Sequence, residues 1–255
     1  ARDEGDSATA VDVKRRSPSA PLSDVSLQVS PCRSLTSERE RGRGRERGEM
    51  AAGGEKLSKD ELCGTVVQFL EVCVHQILFA RELYPPELFS DAKVYDCPVR
   101  MSRCPPLNQY IHDSLQGVRQ ELLKGALQRV AVSIEDEEGA VLERFVFQVD
   151  LYLSRALSMP VEELHRRFTD CVMKIALLSP ARLPEERSWA IIAHSKAAAI
   201  GTDWELADPQ HDRWGADARS EGFDVSLVKT VRSGALELQF YLEDHRGRKQ
   251  RAAAD

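Results

Sequence analysis

The most apolar part of the chain lies between residues 62 and 80, where hydrophobic residues recur at helical spacing on nearly every side. Ser58 and Glu61 precede this run with the S-x-x-E spacing of a capping box. Pro85 and Pro86 follow it, and proline cannot continue a helix. Because a helix that is apolar almost all round leaves no face for solvent, the pattern predicts a buried central helix.

After an extended link, apolar residues at helical spacing predict a second helix from about 106 to 124. Apolar and polar residues then alternate over 130–134 and over 141–149, with an acidic turn at 136–139 between them. This period of two predicts a β-hairpin. A third helix is predicted to begin near Pro160, since proline suits the first helical positions.

Three further strands are predicted at 189–194, 223–231 and 236–242, the last two from strict alternation. The order is therefore two helices, a hairpin, a helix, a strand and a β-rich C-terminal part. That order is typical of an α+β fold. We expect the helices to cover one face of an antiparallel sheet.

The first 49 residues differ from the rest in composition. They hold ten Lys and Arg and nine Asp and Glu, no aromatic residue and little apolar periodicity. Such a segment buries too little surface to offset its ordering entropy, so 1–49 is expected to be a disordered N-terminal extension, with Met50 resembling a natural start. Its Arg-Gly run favours a solvated tail, and contact with RNA or an acidic surface stays the alternative.

Charge and cysteine spacing exclude several classes of protein. The net charge of −6 and the pI of about 5.6 argue against direct nucleic-acid binding, which uses clustered Lys and Arg. No apolar run is expected to reach the roughly 18 residues that span a membrane, and residues 1–30 lack a secretory signal. The six cysteines form no CxxC pair, so buried free thiols are expected rather than a zinc site.

No catalytic or cofactor motif stands out, and neither a cofactor nor a metal is expected. His75 lies in the central helix, where a buried core histidine is the better interpretation than a ligand. Phe145 and Phe147 have strand spacing without a basic cluster around them, which favours core packing over base stacking. Trp204 and Trp214 lie in a polar segment, where a large aromatic side chain is either an anchor or part of a binding pocket.

Several stretches together resemble the HORMA-domain family, and within it the accessory-subunit branch of the translesion DNA polymerase zeta. They read FLEVCVHQILFARELYP, PVRMS, LNQYIHDSL, ERFVFQV and LQFYLED. The resemblance implies three helices packed on an antiparallel β-sheet, with a C-terminal β-rich segment called the seatbelt. The HORMA domain would cover 50–255, with the core at about 57–200 and the seatbelt at about 201–245.

The resemblance also implies a function. The chain would be a non-catalytic adaptor that traps a Pro-containing peptide of the polymerase catalytic subunit under the seatbelt, in the nucleus, for DNA damage tolerance and repair. Tyr110 and Trp204 match peptide-contacting positions. Val225, Gln239 and Tyr241 match a second surface, which docks a Rev-type deoxycytidyl transferase scaffold. Gln239 and Tyr241 alternate with Leu238 and Phe240, so both are expected on the exposed face of this strand.

Other interpretations of the sequence stay open. The family resemblance also allows other HORMA ligands and a HORMA dimer as partners, and a spindle-assembly-checkpoint protein that binds checkpoint peptides is the main alternative function. A small enzyme with an unrecognised site is a third interpretation. Neither a membrane nor direct nucleic-acid binding is expected.

Overall fold

The computed structural model describes residues 11–16, 57–152, 154–155, 159–178, 183–184, 186–196, 204–206 and 222–244. The helices in these residues are α1 (Lys59–Ala80), α2 (Pro105–Lys124) and α3 (Val161–Leu177). The strands are β1 (Val11–Arg16), β2 (Phe89–Val94), β3 (Cys97–Ser102), β4 (Leu127–Asp136), β5 (Val141–Leu151), β6 (Arg187–Ser195), β7 (Glu205–Leu206), β8 (Asp224–Arg232) and β9 (Leu236–Asp244). The three predicted helices and the predicted strands between 130 and 242 are confirmed, although their ends differ from the prediction by a few residues.

Helix α1 is the centre of the fold. Its capping box is formed, because the Glu61 N–H donates to Ser58 Oγ (3.2 Å) and the Ser58 N–H donates to Glu61 Oε2 (3.0 Å). Phe69 stacks on Phe168 of α3 at 4.2 Å between ring centroids and meets Phe147 of β5 edge-on at 6.0 Å. The apolar pattern therefore places α1 between the other helices and the sheet, as predicted.

By length and composition alone, α1 could also cross a membrane, since its mean hydropathy reaches 1.6 over 18 residues. This corrects the expectation that no apolar run is long enough. Within the fold, 72% of that window is buried against the protein itself, which is what a core helix requires.

The main sheet has seven strands in the order β7-β1-β6-β4-β5-β9-β8, and its neighbouring strands run antiparallel. Side chains of alternating positions pack under the helices, among them Val132, Phe147, Ile191 and Phe240. Phe147 and Phe240 stack at 4.7 Å, so the prediction that Phe145 and Phe147 belong to the core is confirmed. The α+β fold with helices on one face is likewise confirmed.

The link between the first two helices is a hairpin rather than an unpaired segment. Strands β2 and β3 pair from Phe89 opposite Ser102 to Val94 opposite Cys97. The turn uses Tyr95 and Asp96, both with positive φ (50° and 59°), as a two-residue hairpin turn requires. No hairpin was predicted here, because the glycine and asparagine that usually fill those positions are absent.

Polar side chains within α1 bind this hairpin. Gln76 Oε1 accepts a hydrogen bond from the Arg100 N–H (3.0 Å), and His75 Nδ1 accepts one from the Ser102 N–H (3.4 Å). Both side chains are buried. The prediction of a buried core histidine at position 75 is therefore confirmed, and its role is to satisfy a backbone donor of β3.

Residues 11–16 correct the prediction for the N-terminal extension. They form β1, which pairs with β6 from Val11 opposite Ser195 to Arg16 opposite Ala190. Composition alone missed this strand because its backbone partners come from another part of the chain. The rest of 1–49 lies outside the described residues, and the proposed domain boundaries stay predictions.

The expected free thiols are found at Cys63, Cys73, Cys97, Cys104 and Cys171, all of them buried. Burial raises the pKa of Cys171 to about 12, so its thiol stays protonated at neutral pH. Cys32 lies outside the described residues.

We predict that His75 makes the fold sensitive to mild acid. Burial lowers the pKa of His75 to about 4, whereas an unfolded chain takes up this proton near pH 6.5. The unfolded state therefore binds more protons than the folded state in this window, and stability is lost as the pH falls through it. The expected loss from this group is about 2–3 kcal/mol by about pH 4.5.

Urea unfolding of the wild type and of His75→Asn at about pH 7 and about pH 4.5 measures this loss. Asparagine keeps an acceptor for the Ser102 N–H and does not titrate. The variant should lose less stability on acidification by roughly that 2–3 kcal/mol. An identical pH dependence in both proteins would show that His75 does not titrate as its burial requires.

Candidate functional site

Strand β1 lies between β6 and β7 in the main sheet. On one side it follows β6 over its whole length. On the other side, Val13 lies opposite Leu206 and Lys14 opposite Glu205 of β7. The sheet thus contains a slot between β6 and the C-terminal segment that accepts one extended strand, and we call it the strand slot.

A group of aromatic residues lines the strand slot on the face of the sheet that the helices cover. Tyr110 projects from the second turn of α2 and is buried. Its ring meets Trp189 of β6 edge-on at 5.3 Å, and the Trp189 indole N–H donates to the Tyr84 hydroxyl (3.1 Å). Trp189 and Tyr84 were not among the predicted site residues. In the sequence, Trp189 and Ile191 are two residues apart on a predicted strand, so both side chains face the helices. This spacing is the signal that could have identified Trp189.

Tyr110 contacts the inserted strand directly. Its hydroxyl donates to the backbone carbonyl of Arg15 (2.5 Å), and the Arg15 guanidinium lies 5.5 Å from the ring centroid. Burial raises the pKa of the Tyr110 hydroxyl above its usual range, so it remains a donor throughout the physiological range. Tyr110 therefore contacts β1 through both the backbone and the side chain of Arg15.

A buried ion pair holds β1 on the opposite face of the sheet. Lys14 Nζ lies 2.5 Å from Glu135 Oε1 on β4, and the two residues are 8% and 1% exposed. A buried carboxylate without a cation is costly, so Glu135 in this packing depends on the charge that β1 brings. The inserted strand is thus contacted from both faces of the sheet.

Trp204, the second predicted peptide-contacting residue, immediately precedes β7. Its side chain is half-buried and packs against the main core, which agrees with an anchor for the polar segment that follows. Tyr110 on α2 therefore contacts β1, and Trp204 lies directly before β7, which pairs with β1. Trp214 lies outside the described residues.

The second predicted surface lies on the outer face of the sheet, away from the helices. Gln239 is half-buried, while Tyr241 is buried and clusters with small and branched residues of neighbouring strands: Ala131, Val146, Ile192 and Val225. The expectation that Tyr241 is exposed is therefore wrong, because its ring fills this cluster. Burial raises the pKa of Tyr241 to about 12.

Leu227 is the exposed part of that surface, and the sequence did not single it out. It lies opposite Tyr241 on the edge strand β8 and is 65% exposed. With Val225, Gln239 and Tyr241 it forms what we call the outer-face patch. Strand alternation places Leu227 on the same face as Val225, and this was the available signal.

No metal site is found in the described part of the chain. There, no group of three or more His, Cys, Asp or Glu residues is placed to hold a metal ion. The acidic turn Asp136–Gly139 is closed by the Asp136 carboxylate, which accepts from the N–H groups of Glu138 and Ala140. The feature that the described residues do form is a position for one extended strand between β6 and β7.

Comparison with known proteins agrees with this geometry. The HORMA domain family matches residues 64–171. The mitotic spindle assembly checkpoint protein MAD2B of Homo sapiens is 34% identical over 207 residues, which cover 74% of this chain and 92% of the relative. The DNA polymerase zeta processivity subunit of Arabidopsis thaliana is 27% identical over 190 residues, covering 72% and 86%.

A solved structure shares the fold. HTP-2 of C. elegans, described as bound to the HIM-3 closure motif, matches with a TM-score of 0.60 at 12% identity, covering 74% of this chain and 92% of that one. At that identity, the match speaks for the fold alone.

We predict that Tyr110→Phe loosens β1 without unfolding the domain. The substitution keeps the ring and removes a buried hydrogen bond worth about 1 kcal/mol. Hydrogen exchange of the amides of residues 11–16 should therefore become roughly fivefold faster, as measured by mass spectrometry. Tyr152→Phe, at an exposed tyrosine, is the matched control and should leave exchange unchanged. Equal exchange in Tyr110→Phe and wild type would mean that the hydroxyl does not hold β1.

Proposed function

The chain belongs to the HORMA-domain family, in the branch of MAD2B and the polymerase zeta processivity subunit, and on this premise we propose that it is a non-catalytic adaptor of translesion DNA polymerase zeta. It binds a peptide of the catalytic subunit as an added strand, and it docks a second protein through another surface. It acts in the nucleus, in DNA damage tolerance and repair.

The observation that carries this proposal is the strand slot itself. A segment remote in sequence inserts between β6 and β7 with backbone pairing on both sides. This is the geometry of β-strand addition, in which main-chain hydrogen bonds supply affinity and side-chain pockets supply selectivity. A sheet that accepts one such strand has the hydrogen-bonding edge needed for a partner's segment.

The side chains beside the slot suit a Pro-containing peptide. Tyr110, Trp189 and Tyr84 form an aromatic group under it, and Trp204 borders it from the seatbelt. Aromatic faces pack well against a proline ring, while the Tyr110 hydroxyl and β6 take the backbone polar groups. We therefore assign the peptide contact to Tyr110 and Trp204, and we add Trp189.

The outer-face patch is the proposed dock for the Rev-type deoxycytidyl transferase scaffold. Its exposed apolar side chain is Leu227, with Val225 and Gln239 half-buried and Tyr241 buried opposite Leu227 on the neighbouring strand. An exposed leucine beside a buried tyrosine gives a partner an apolar contact on a rigid support. The patch belongs to β8 and β9, at the sheet edge away from β7, so both partners can bind together.

A second candidate function comes from the relatives' name. MAD2B is described as a mitotic spindle assembly checkpoint protein, so an adaptor for checkpoint peptides is the alternative. Both functions use the strand slot and differ in the peptide that fills it. The same binding experiment distinguishes them when it is run with both kinds of peptide.

We predict that the full chain co-purifies with the Pro-containing segment of this organism's polymerase zeta catalytic subunit when the two are expressed together. Trp204→Ala and Tyr110→Ala should each weaken binding by about 2 kcal/mol or more, roughly 30-fold, as expected for aromatic anchors that a bound peptide covers. Isothermal titration calorimetry with the purified proteins measures the change.

Tyr152→Ala removes an exposed tyrosine elsewhere and should bind like the wild type. Far-UV circular dichroism checks that the variants stay folded. If a checkpoint peptide binds tightly and the polymerase segment does not, the function moves to the checkpoint. Unchanged affinity in Trp204→Ala would remove Trp204 from the peptide contact. Tyr110 also holds β1, so its variant is compared in chains whose β1 is broken by Val13→Pro, where unchanged affinity would remove Tyr110 from the contact.

We predict that Leu227→Asp abolishes binding of the scaffold polymerase's C-terminal domain and spares peptide binding. Because Leu227 is 65% exposed, the charge costs little stability but is buried unpaired when a partner covers it. Leu177→Asp is the control, since Leu177 is 78% exposed on α3. A pull-down with the scaffold domain measures the loss, and retention of binding in Leu227→Asp would rule out the outer-face patch as the dock.

A further inference from the structure

We propose that Val11–Arg16 is a built-in ligand of the chain's own strand slot, which a partner peptide must displace before it can bind. This inference rests on the proposed function for the identity of the competing peptide. The occupation itself rests on the contacts of β1. The segment is therefore a regulatory strand rather than part of an inert tail.

The backbone register shows that β1 occupies the slot fully. Six consecutive residues of β1 face six of β6 without a shift, from Val11 opposite Ser195 to Arg16 opposite Ala190. The same segment pairs with β7 on its other edge. A second strand cannot pair with this stretch of β6 while β1 is present, because each backbone group serves one neighbour on that side.

Two side chains of β1 make contacts that a random tail would not make. Lys14 pairs with the buried carboxylate of Glu135, and Arg15 lies over the ring of Tyr110, which also binds its carbonyl. One residue faces each side of the sheet, as strand alternation dictates. The basic run that ends β1 thus has a specific counterpart on both faces.

Covalent linkage gives β1 an advantage over any free peptide. A tethered segment competes with an effective concentration that is in the millimolar range for a short flexible link and falls as the link lengthens. The apparent affinity of a partner peptide is reduced by the fraction of chains whose slot is free. Release of β1 is then a point of control over partner binding.

The experiment uses the full chain with β1 weakened in place. Val13→Pro removes a backbone donor in the middle of the strand, and Lys14→Glu sets a carboxylate against Glu135. The probe is a fluorescein-labelled synthetic peptide of residues 8–19, titrated by fluorescence anisotropy. Both variants should bind the probe at least tenfold more tightly than the wild type, whose own segment fills the slot.

Two controls separate occupation of the slot from general effects. Lys14→Arg keeps the charge and should bind the probe as weakly as the wild type, while Arg2→Glu changes the tail's charge outside β1 and should do the same. Hydrogen exchange provides an independent measurement. In Val13→Pro, the β6 amides of residues 190–195 should exchange at least tenfold faster and recover protection when the probe is added.

Equal probe binding by wild type and both variants, with equal exchange in β6, would overturn the proposal. A concentration-dependent dimer on gel filtration that Val13→Pro abolishes would also overturn it, because the segment would then fill the slot of a second copy.

A parallel titration with the polymerase segment distinguishes this proposal from the proposed function. Tighter probe binding in the variants without any binding of the polymerase segment would support the built-in ligand and reject the polymerase partner. A polymerase segment that binds wild type and Val13→Pro equally well would reject displacement of β1.

Discussion

The second edge of β6, which β4 leaves free, is the constraint on which the rest of the structure depends. Residues 189–193 of this strand are buried, and β4 pairs with only one of its two edges. The helices cover a face of the sheet and cannot satisfy the backbone donors and acceptors of an edge. Because buried backbone groups need partners, the second edge calls for a strand from outside the core. In this chain β1 supplies it.

Backbone pairing alone would accept almost any extended segment, so selectivity has to come from the borders of the slot. Tyr110 reaches it from the helix face, Glu135 from the opposite face, and Trp204 stands beside β7. These residues come from three separate elements. Only the assembled sheet brings them to one strand, which makes the site a property of the fold rather than of a local motif.

Buried polar side chains within the apolar helices and strands also serve to pair polar groups of neighbouring elements. His75 and Gln76 interrupt the most apolar helix because each accepts a hydrogen bond from a backbone N–H of β3. Glu143 in the core hairpin binds the Arg81 guanidinium through both oxygens, at 2.6 and 2.9 Å, at the end of α1. Each of these side chains is thus matched to a partner that a neighbouring element provides.

The sequence by itself determined the three helices, most of the strands and the core, because apolar periodicity and end signals depend on residues within a few positions of each other. It also singled out Tyr110 and Trp204 through resemblance. Tertiary structure decided that 11–16 is a strand, that 89–102 is a hairpin and that Tyr241 is buried among residues of other strands. Strand pairing is non-local. Six residues with weak alternation become a strand only where another strand has a free edge, and that edge belongs to residues far away in the sequence.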